Sequence, residues 1–510
     1  MWNRDKSERS TVSDQSPRAF NLLEAPKKHY GTLRNFVGGE WVEPQTDRYL
    51  DVEDPATGET IATVPCSTAA DTDRAIQAAQ DAFWDWRCTP PVVRARYMLK
   101  IRDLLEKNFE ELARITTQEH GKAIDEARGE TRRTIETVEV AAGVTSLMMG
   151  YNLEDGAAKG IDEMVVRQPL GVGACITPFN FPFMMTGFWW PYAVAAGNTF
   201  VVKQSEQTPV TITRFFEILE EADLPEGVMN LVHGDVVASE AILDSPLVKA
   251  IGFIGSSPVA KLVYKRCGET GKRVCANGGA KNFLTIMPDA EIDRSLSNMM
   301  ASFFGCSGQR CLAGSVLLAV GDIYDELKEK FVAAAAALAT GPGLDETVNV
   351  GPVISDKSLE RIHGYIETGI KEGADLILDG REVNVPGFAG GHYVAPTVFD
   401  NCTPDMTICK DEIFGPVAAI VRVKDLKEAI SLTNASPFGN AASIYTTSGR
   451  SARTYWYEIQ AGNVGVNLGV AAPVAYFPFA GQKDSHFGST HGQRDAFDLF
   501  TDSKVVITRW

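Results

Sequence analysis

At 510 residues the chain exceeds what one ordinary hydrophobic core accommodates, so two large domains are expected. Apolar residues make up 44% and charged residues 23%, the balance of a folded globular protein and not of a disordered one. The 49 Lys+Arg against 66 Asp+Glu leave a formal charge of −17, which disfavours non-specific association with nucleic acid or anionic lipid.

In chain order, residues 1–34 are polar and aperiodic and read as a flexible arm that packs on a neighbouring subunit. The arm has no apolar run of the kind a secretory signal needs, and its acidic residues argue against a transit peptide. No run of about 18 apolar residues follows, so no membrane span is expected. Phe36 to Val42 reads as a hairpin around Gly38-Gly39, and Asp54 to Gly58 as a turn. Asp71 can cap a helix whose Ala75, Ala79, Ala82, Phe83 and Trp86 share one face. The spacing of Met98, Leu105, Leu112 and Ile115 predicts a second helix, and a third runs from about Lys122 to Met148.

From Gly171 onward strands and helices alternate as in a parallel sheet. Gly171 to Ile176, Thr199 to Lys203, Val228 to Val232, Ala250 to Ile254 and Arg273 to Ala276 read as strands, with a helix over Pro209 to Ala222. A GxGxxG run is absent, so a dinucleotide would not be held by the usual glycine-rich fingerprint. Alternation resumes over 279–480, with helices near 292–304, 324–339 and 357–372. The tail Lys504 to Trp510 reads as a strand with an exposed apolar side, added to a partner's sheet. Nine cysteines form no CxxC pair and no Cys/His metal spacing, so reduced thiols in the cytoplasm and no metal site are the simplest expectation.

Chemistry is expected at Phe303-Phe304-Gly305-Cys306-Ser307-Gly308-Gln309-Arg310-Cys311-Leu312-Ala313. Cationic Arg310 beside Cys311, among small residues that admit backbone N–H groups, is a setting that favours a thiolate. Its alternative is a buried structural thiol. The Gly-Gln-X-Cys context resembles the aldehyde dehydrogenase superfamily, and four further stretches extend the resemblance from about Asn35 to Trp510.

In Pro178-Phe179-Asn180-Phe181-Pro182 the resemblance implies that the Asn180 amide, with the Cys311 N–H, stabilises an oxyanion. Phe179 is assigned to the cofactor seat. Lys203 and Glu206, at a strand end, are implied to bind the adenosine ribose, and a carboxylate there favours NAD over NADP. Gly255 and Ser256, before a helix, resemble the pyrophosphate loop. In Asp411-Glu412-Ile413-Phe414-Gly415-Pro416-Val417, Glu412 is implied to bind the nicotinamide ribose and Phe414 to pack near the nicotinamide.

The resemblance implies an α/β fold: a Rossmann-like parallel-sheet NAD-binding domain (35–149 and 171–278), an α/β catalytic domain (279–480) and small β oligomerisation segments (150–170 and 493–510), assembled as a dimer or tetramer. In hydrolytic members a Glu just before a Gly-Gly pair activates water; here Ala276 aligns with it. A thiol such as coenzyme A needs less help because it ionises more readily than water. The Gly-Gly-Ala-Lys-Asn run is similar to that of the coenzyme A-acylating methylmalonate/malonate-semialdehyde dehydrogenase branch, whose carboxylate-binding arginines match Arg133 and Arg310. Gln309, Asn277 and Gln482 depart from the branch's usual Glu, Leu and Trp. The expected reaction is NAD-dependent oxidation of a small aldehyde acid through a Cys311 thioester, with acyl transfer to coenzyme A and decarboxylation. A hydrolytic dehydrogenase acting on another aldehyde, and a catalytically silent member, are the alternatives.

Overall fold

The computed structural model describes residues 10–11 and 19–510. Two eight-stranded sheets organise it. In the first, the order is His486–Gly488, Arg273–Asn277, Val248–Ile254, Val172–Ile176, Thr199–Lys203, Met229–Leu231, Asn35–Val37 and Glu40–Val42. Its five central strands are parallel, and antiparallel strands close both ends. Val172–Ile176 and Thr199–Lys203 are buried at every position because helices cover both faces, which is why they read as continuous apolar runs. Val172, Ala174 and Val201 pack with Ala75, Ala79 and Ile242 on one face, while Cys175, Phe200 and Val202 meet Trp189, Trp190 and Phe215 on the other.

The second sheet runs Ser10–Thr11, Asp375–Asp379, Thr397–Asp400, Val417–Val423, Gly314–Val320, Asn282–Ile286, Ala441–Tyr445 and Asn463–Val466. Its strands from Thr397–Asp400 to Asn463–Val466 are all parallel. The crossover helices Ile292–Phe304 and Tyr324–Ala336 supply Phe303, Phe304, Leu327 and Phe331 to one core, and Asp356–Lys371 supplies Ile362 and Ile366 to another.

Several local expectations need correction. Thr68, and not Asp71, is the N-cap of Ala69–Cys88: its hydroxyl accepts from the Asp71 N–H, and Asp71 accepts in return from the Thr68 N–H at 2.9 Å. The second predicted helix is two, Pro91–Lys107 and Phe109–His120. Asn108 leaves helical geometry (φ −105°, ψ 15°) and donates its side-chain amide to the Leu104 carbonyl. The third starts at Ile124 and ends at Ala142, with Gly143 separating it from the single turn Val144–Leu147.

The tail strand is longer than predicted and pairs within its own chain, at the edge of its sheet. Thr501–Arg509 pairs antiparallel with Ile161–Pro169 along its whole length, in a three-stranded sheet with Asn152–Leu153. Val505 and Ile507 stay exposed on it. Of the segment read as a flexible arm, 19–34 also lies along its own chain, with Leu23, Tyr30 and Leu33 donating backbone N–H bonds to Leu344, Ile61 and Thr63. Residues 1–9 and 12–18 lie outside the described residues. Among the described residues no helix is long and apolar enough to cross a membrane.

Candidate active site

A cleft of about 1030 Å³ opens where the carboxyl ends of the first sheet's parallel strands face the loops that lead into strands of the second; carboxyl strand ends are where open α/β sheets bind ligands. Phe179 and Asn180 enter it after Val172–Ile176, Glu206 after Thr199–Lys203, and Gly255 with Ser256 after Val248–Ile254. Cys311, Glu412 and Phe414 form the opposing wall. Phe179 and Phe414 meet edge to face at 5.8 Å across it. Lys203 stands just behind the lining, with its Nζ 3.2 Å from Glu206. Arg133 and Arg310 do not line this cleft.

Cys311 follows the helix Ile292–Phe304 through a left-handed turn in which Cys306 (φ 49°), Ser307 (φ 54°) and Gly308 (φ 70°) carry the chain. Gly308 is required there: a Cβ would run into the Gly415 carbonyl, so the loop carrying Cys311 and the loop carrying Glu412 and Phe414 touch backbone to backbone. The Cys311 carbonyl accepts from the Asn282 and Asn440 side-chain amides, both at 2.9 Å, which fixes the residue at the mouth of the second sheet.

At the Cys311 thiol, burial outweighs the effect of Arg310 that the sequence suggested. Burial, reinforced by the Glu412 carboxylate, pushes the Cys311 thiol up to about 11, against the opposing pull of Arg310, its own N–H and Asn440. Arg310 is turned aside: its Nη2 lies 3.3 Å from both Glu126 Oε1 and Cys306 Sγ. Neighbours in sequence do not make an ion pair when a carboxylate from Ile124–Ala142 competes for the guanidinium. Glu412 is pushed up to about 7 by burial, although its Oε1 accepts from the Ala280 N–H at 3.0 Å. Lys281 holds the Glu412 loop by donating to the Ile408 and Asp411 carbonyls.

Asn180 is held from two sides. Its Nδ2 donates to the Gln309 carbonyl at 3.0 Å, and its own carbonyl accepts from Lys122 Nζ at 2.6 Å. Lys122 also pairs with Glu130 at 2.6 Å and lies 3.9 Å above the Phe181 ring. Glu130 uses its other oxygen to accept the Phe183 and Met184 N–H groups at the start of Pro182–Gly187. Both side chains of this pair are fully buried.

Sequence departures resolve into packing. Gln309 is buried, with Oε1 accepting from the Ile354 N–H, so its side chain faces the core. Ala276 is fully buried in the apolar core that contains Phe253 and Val263 and offers no base. Asn277 Oδ1 sits 2.6 Å from His486 Nδ1. Arg133 donates to Glu136 at 2.6 Å and lines a small separate cavity with Phe188, Phe479 and His491, so the two predicted carboxylate-binding arginines share no cavity.

The model of the aldehyde dehydrogenase family matches residues 41–506. The chain belongs to that family. Among curated relatives, malonate-semialdehyde dehydrogenase 2 of Geobacillus kaustophilus (strain HTA426) is 49% identical over 480 residues, covering 94% of this chain and 99% of the relative. Among solved structures, methylmalonate-semialdehyde dehydrogenase from Oceanimonas doudoroffii is 41% identical with a TM-score of 0.92, covering 94% of this chain and 99% of that one. The NAD+ complex of an aldehyde dehydrogenase from Bacillus cereus is 30% identical with a TM-score of 0.91, covering 96% and 99%.

As an aldehyde dehydrogenase, the chain also carries groups that no motif announced. Lys122, Glu126 and Glu130 act on the site from within the protein, and long charged side chains in and beside a helix ordinarily read as solvated. His491 carried no signal beyond being one of two histidines near the carboxyl end of the chain.

Proposed function

We propose that this aldehyde dehydrogenase oxidises a small semialdehyde acid, malonate or methylmalonate semialdehyde, with NAD, forms a thioester on Cys311 and passes the acyl group to coenzyme A with loss of carbon dioxide. One observation carries the reading: Cys311, Asn180, Glu412, Phe414, Glu206 and Ser256 come from distant segments to line one cleft, while Ala276 leaves the water-activating position apolar. The names of the relatives point to the same substrates.

The cleft's residues suit NAD. Ser256, the N-cap of Ser257–Glu269, makes no side-chain bond to its own helix, which leaves its hydroxyl and the helix N–H groups for a pyrophosphate. Glu206 and Lys203 offer an acceptor and a donor for the adenosine ribose, Glu412 an acceptor for the second ribose, and Phe179 and Phe414 flat walls for the nicotinamide. Gly278 and Gly279 keep that approach open: a Cβ on Gly279 would collide with the Glu412 carboxylate. When bound, NAD supplies the hydride acceptor.

Cys311 Sγ, after losing its proton, forms the bond to the aldehyde carbon, and the carbonyl electrons move to oxygen. The bond from Asn180 Nδ2 to Gln309 fixes the amide plane and leaves its second N–H for that oxygen. After oxidation the acyl group remains on Cys311. Loss of carbon dioxide from a β-carboxylate sends its electron pair back to the same oxygen, against the same donor, and a proton from solvent then adds to the α-carbon to restore the thioester carbonyl. A coenzyme A thiolate then attacks the thioester carbon and Cys311 leaves.

Hydrolysis is a second reading, favoured by Glu412. Its carboxyl is held near Cys311, and burial pushes it up to about 7, a value suited to taking a proton from water. Whichever acceptor operates, Cys311→Ala is expected to abolish NADH formation with malonate semialdehyde while leaving NAD binding intact. NADH formation by that variant would refute the thioester route.

A further inference from the structure

We propose that His491, together with Arg133, forms the subsite that receives the substrate's carboxylate, with His491 Nε2–H as a neutral hydrogen-bond donor. The inference rests on the semialdehyde-acid reading above and identifies a recognition group beyond the two arginines.

The cavity that holds Arg133 measures about 30 Å³, the room a water molecule occupies. His491 lines it and is 1% exposed. Aromatic rings fix the imidazole on its flanks, with centroids 4.8 Å away at Phe188, 4.4 Å at Trp189 and 5.4 Å at Phe479. Its Nδ1 lies 3.6 Å from Cys275 Sγ. Burial pushes the Cys275 thiol far up, so the sulfur keeps a proton that it can donate to Nδ1. In that tautomer the imidazole proton sits on Nε2, at the edge of the ring away from Cys275, a residue that does not line the cavity. Among the described residues that Nε2 has no hydrogen-bond partner.

A buried donor left unsatisfied costs stability, and its persistence beside an arginine points to an acceptor that arrives from outside. Arg133 has given Nη1 to Glu136 and retains the rest of its guanidinium fork. Burial holds the His491 imidazole neutral, down to about 3, so the two groups do not repel. An acidic group would be clasped by one charged and one neutral donor. Position agrees: Phe188 lines this cavity and also packs on the cluster of Phe181, Met185 and Cys306 beneath the Cys311 loop, to which Ile254 of the main cleft belongs.

The test compares malonate semialdehyde with propanal, which has the same chain length without the charge, at saturating NAD and coenzyme A. His491→Phe keeps the aromatic packing and removes the donor. It is expected to raise KM for malonate semialdehyde about ten- to hundredfold with little change in kcat, the loss typical of one hydrogen bond to a charged group, and to leave propanal kinetics unchanged. His491→Gln, which restores an N–H donor, should stay within about threefold of the parent. Equal losses on both aldehydes, or an unmoved KM for the acid, would overturn the assignment of His491. A parent enzyme indifferent to the carboxylate would instead sink the semialdehyde-acid reading itself, and this subsite with it.

Discussion

The two sides of the catalytic centre handle their polar groups in opposite ways. On the Asn180 side a buried ion pair is satisfied internally: Lys122 serves Glu130 and the Asn180 carbonyl, and Glu130 serves two helix N–H groups. Toward Arg133, buried atoms stand without partners among the described residues, His491 Nε2 and the Trp189 Nε1 beside it among them. The first side fixes geometry in the resting protein. The second has the open bonding capacity that a ligand or an ordered water can use.

Breaking the satisfied side is expected to have the largest effect. Lys122→Met would leave Glu130 as a buried carboxylate without its cation, a change that costs about 3–5 kcal/mol; thermal and denaturant unfolding measure it. A loss below about 1 kcal/mol would mean that the pair is not part of the frame. Asn180→Ala touches the same wall at its tip and should lower kcat about 10²–10³-fold, with NAD affinity preserved. A pure KM effect would take Asn180 away from the oxyanion.

The Cys311 wall gives a gentler test. Because burial raises the thiol, only the thiolate fraction reacts, and that fraction grows about tenfold per pH unit below the pKa. Alkylation of Cys311 by iodoacetamide in the cofactor-free enzyme should therefore climb through pH 7–9 without a plateau, toward a midpoint near 11. Glu412→Gln removes the charge that raises the thiol and should shift this profile to lower pH. A plateau below pH 8 in the parent would show that Arg310 does govern the thiol after all.

How much of this was legible in the sequence follows from distance along the chain. The cleft residues sit in short contiguous runs at strand ends, so Phe179, Asn180, Glu206, Ser256, Cys311, Glu412 and Phe414 could be named before any coordinates. The break at Asn108 was hidden because Met98, Leu105, Leu112 and Ile115 remain buried on both sides of it, and their spacing continues across the gap. The adjacency of Arg310 and Cys311 misled for a complementary reason: the guanidinium's partner, Glu126, is 184 residues away. Lys122 reaches Asn180 across 58 residues and His491 reaches Cys275 across 216, pairings that no local pattern encodes. The C-terminal strand was recognised as a strand, but its partner Ile161–Pro169 could not be told from a neighbouring subunit's edge.

The central claim is that a thiol, not water, takes the acyl group from Cys311, because Ala276 supplies no base. Its most direct test is steady-state NADH formation with malonate semialdehyde in the presence and absence of coenzyme A, with the products identified. Sustained turnover only when coenzyme A is present, yielding acetyl-coenzyme A and carbon dioxide, is the predicted result. Equal turnover without coenzyme A, releasing a free acid, would contradict it and hand the role of base to Glu412.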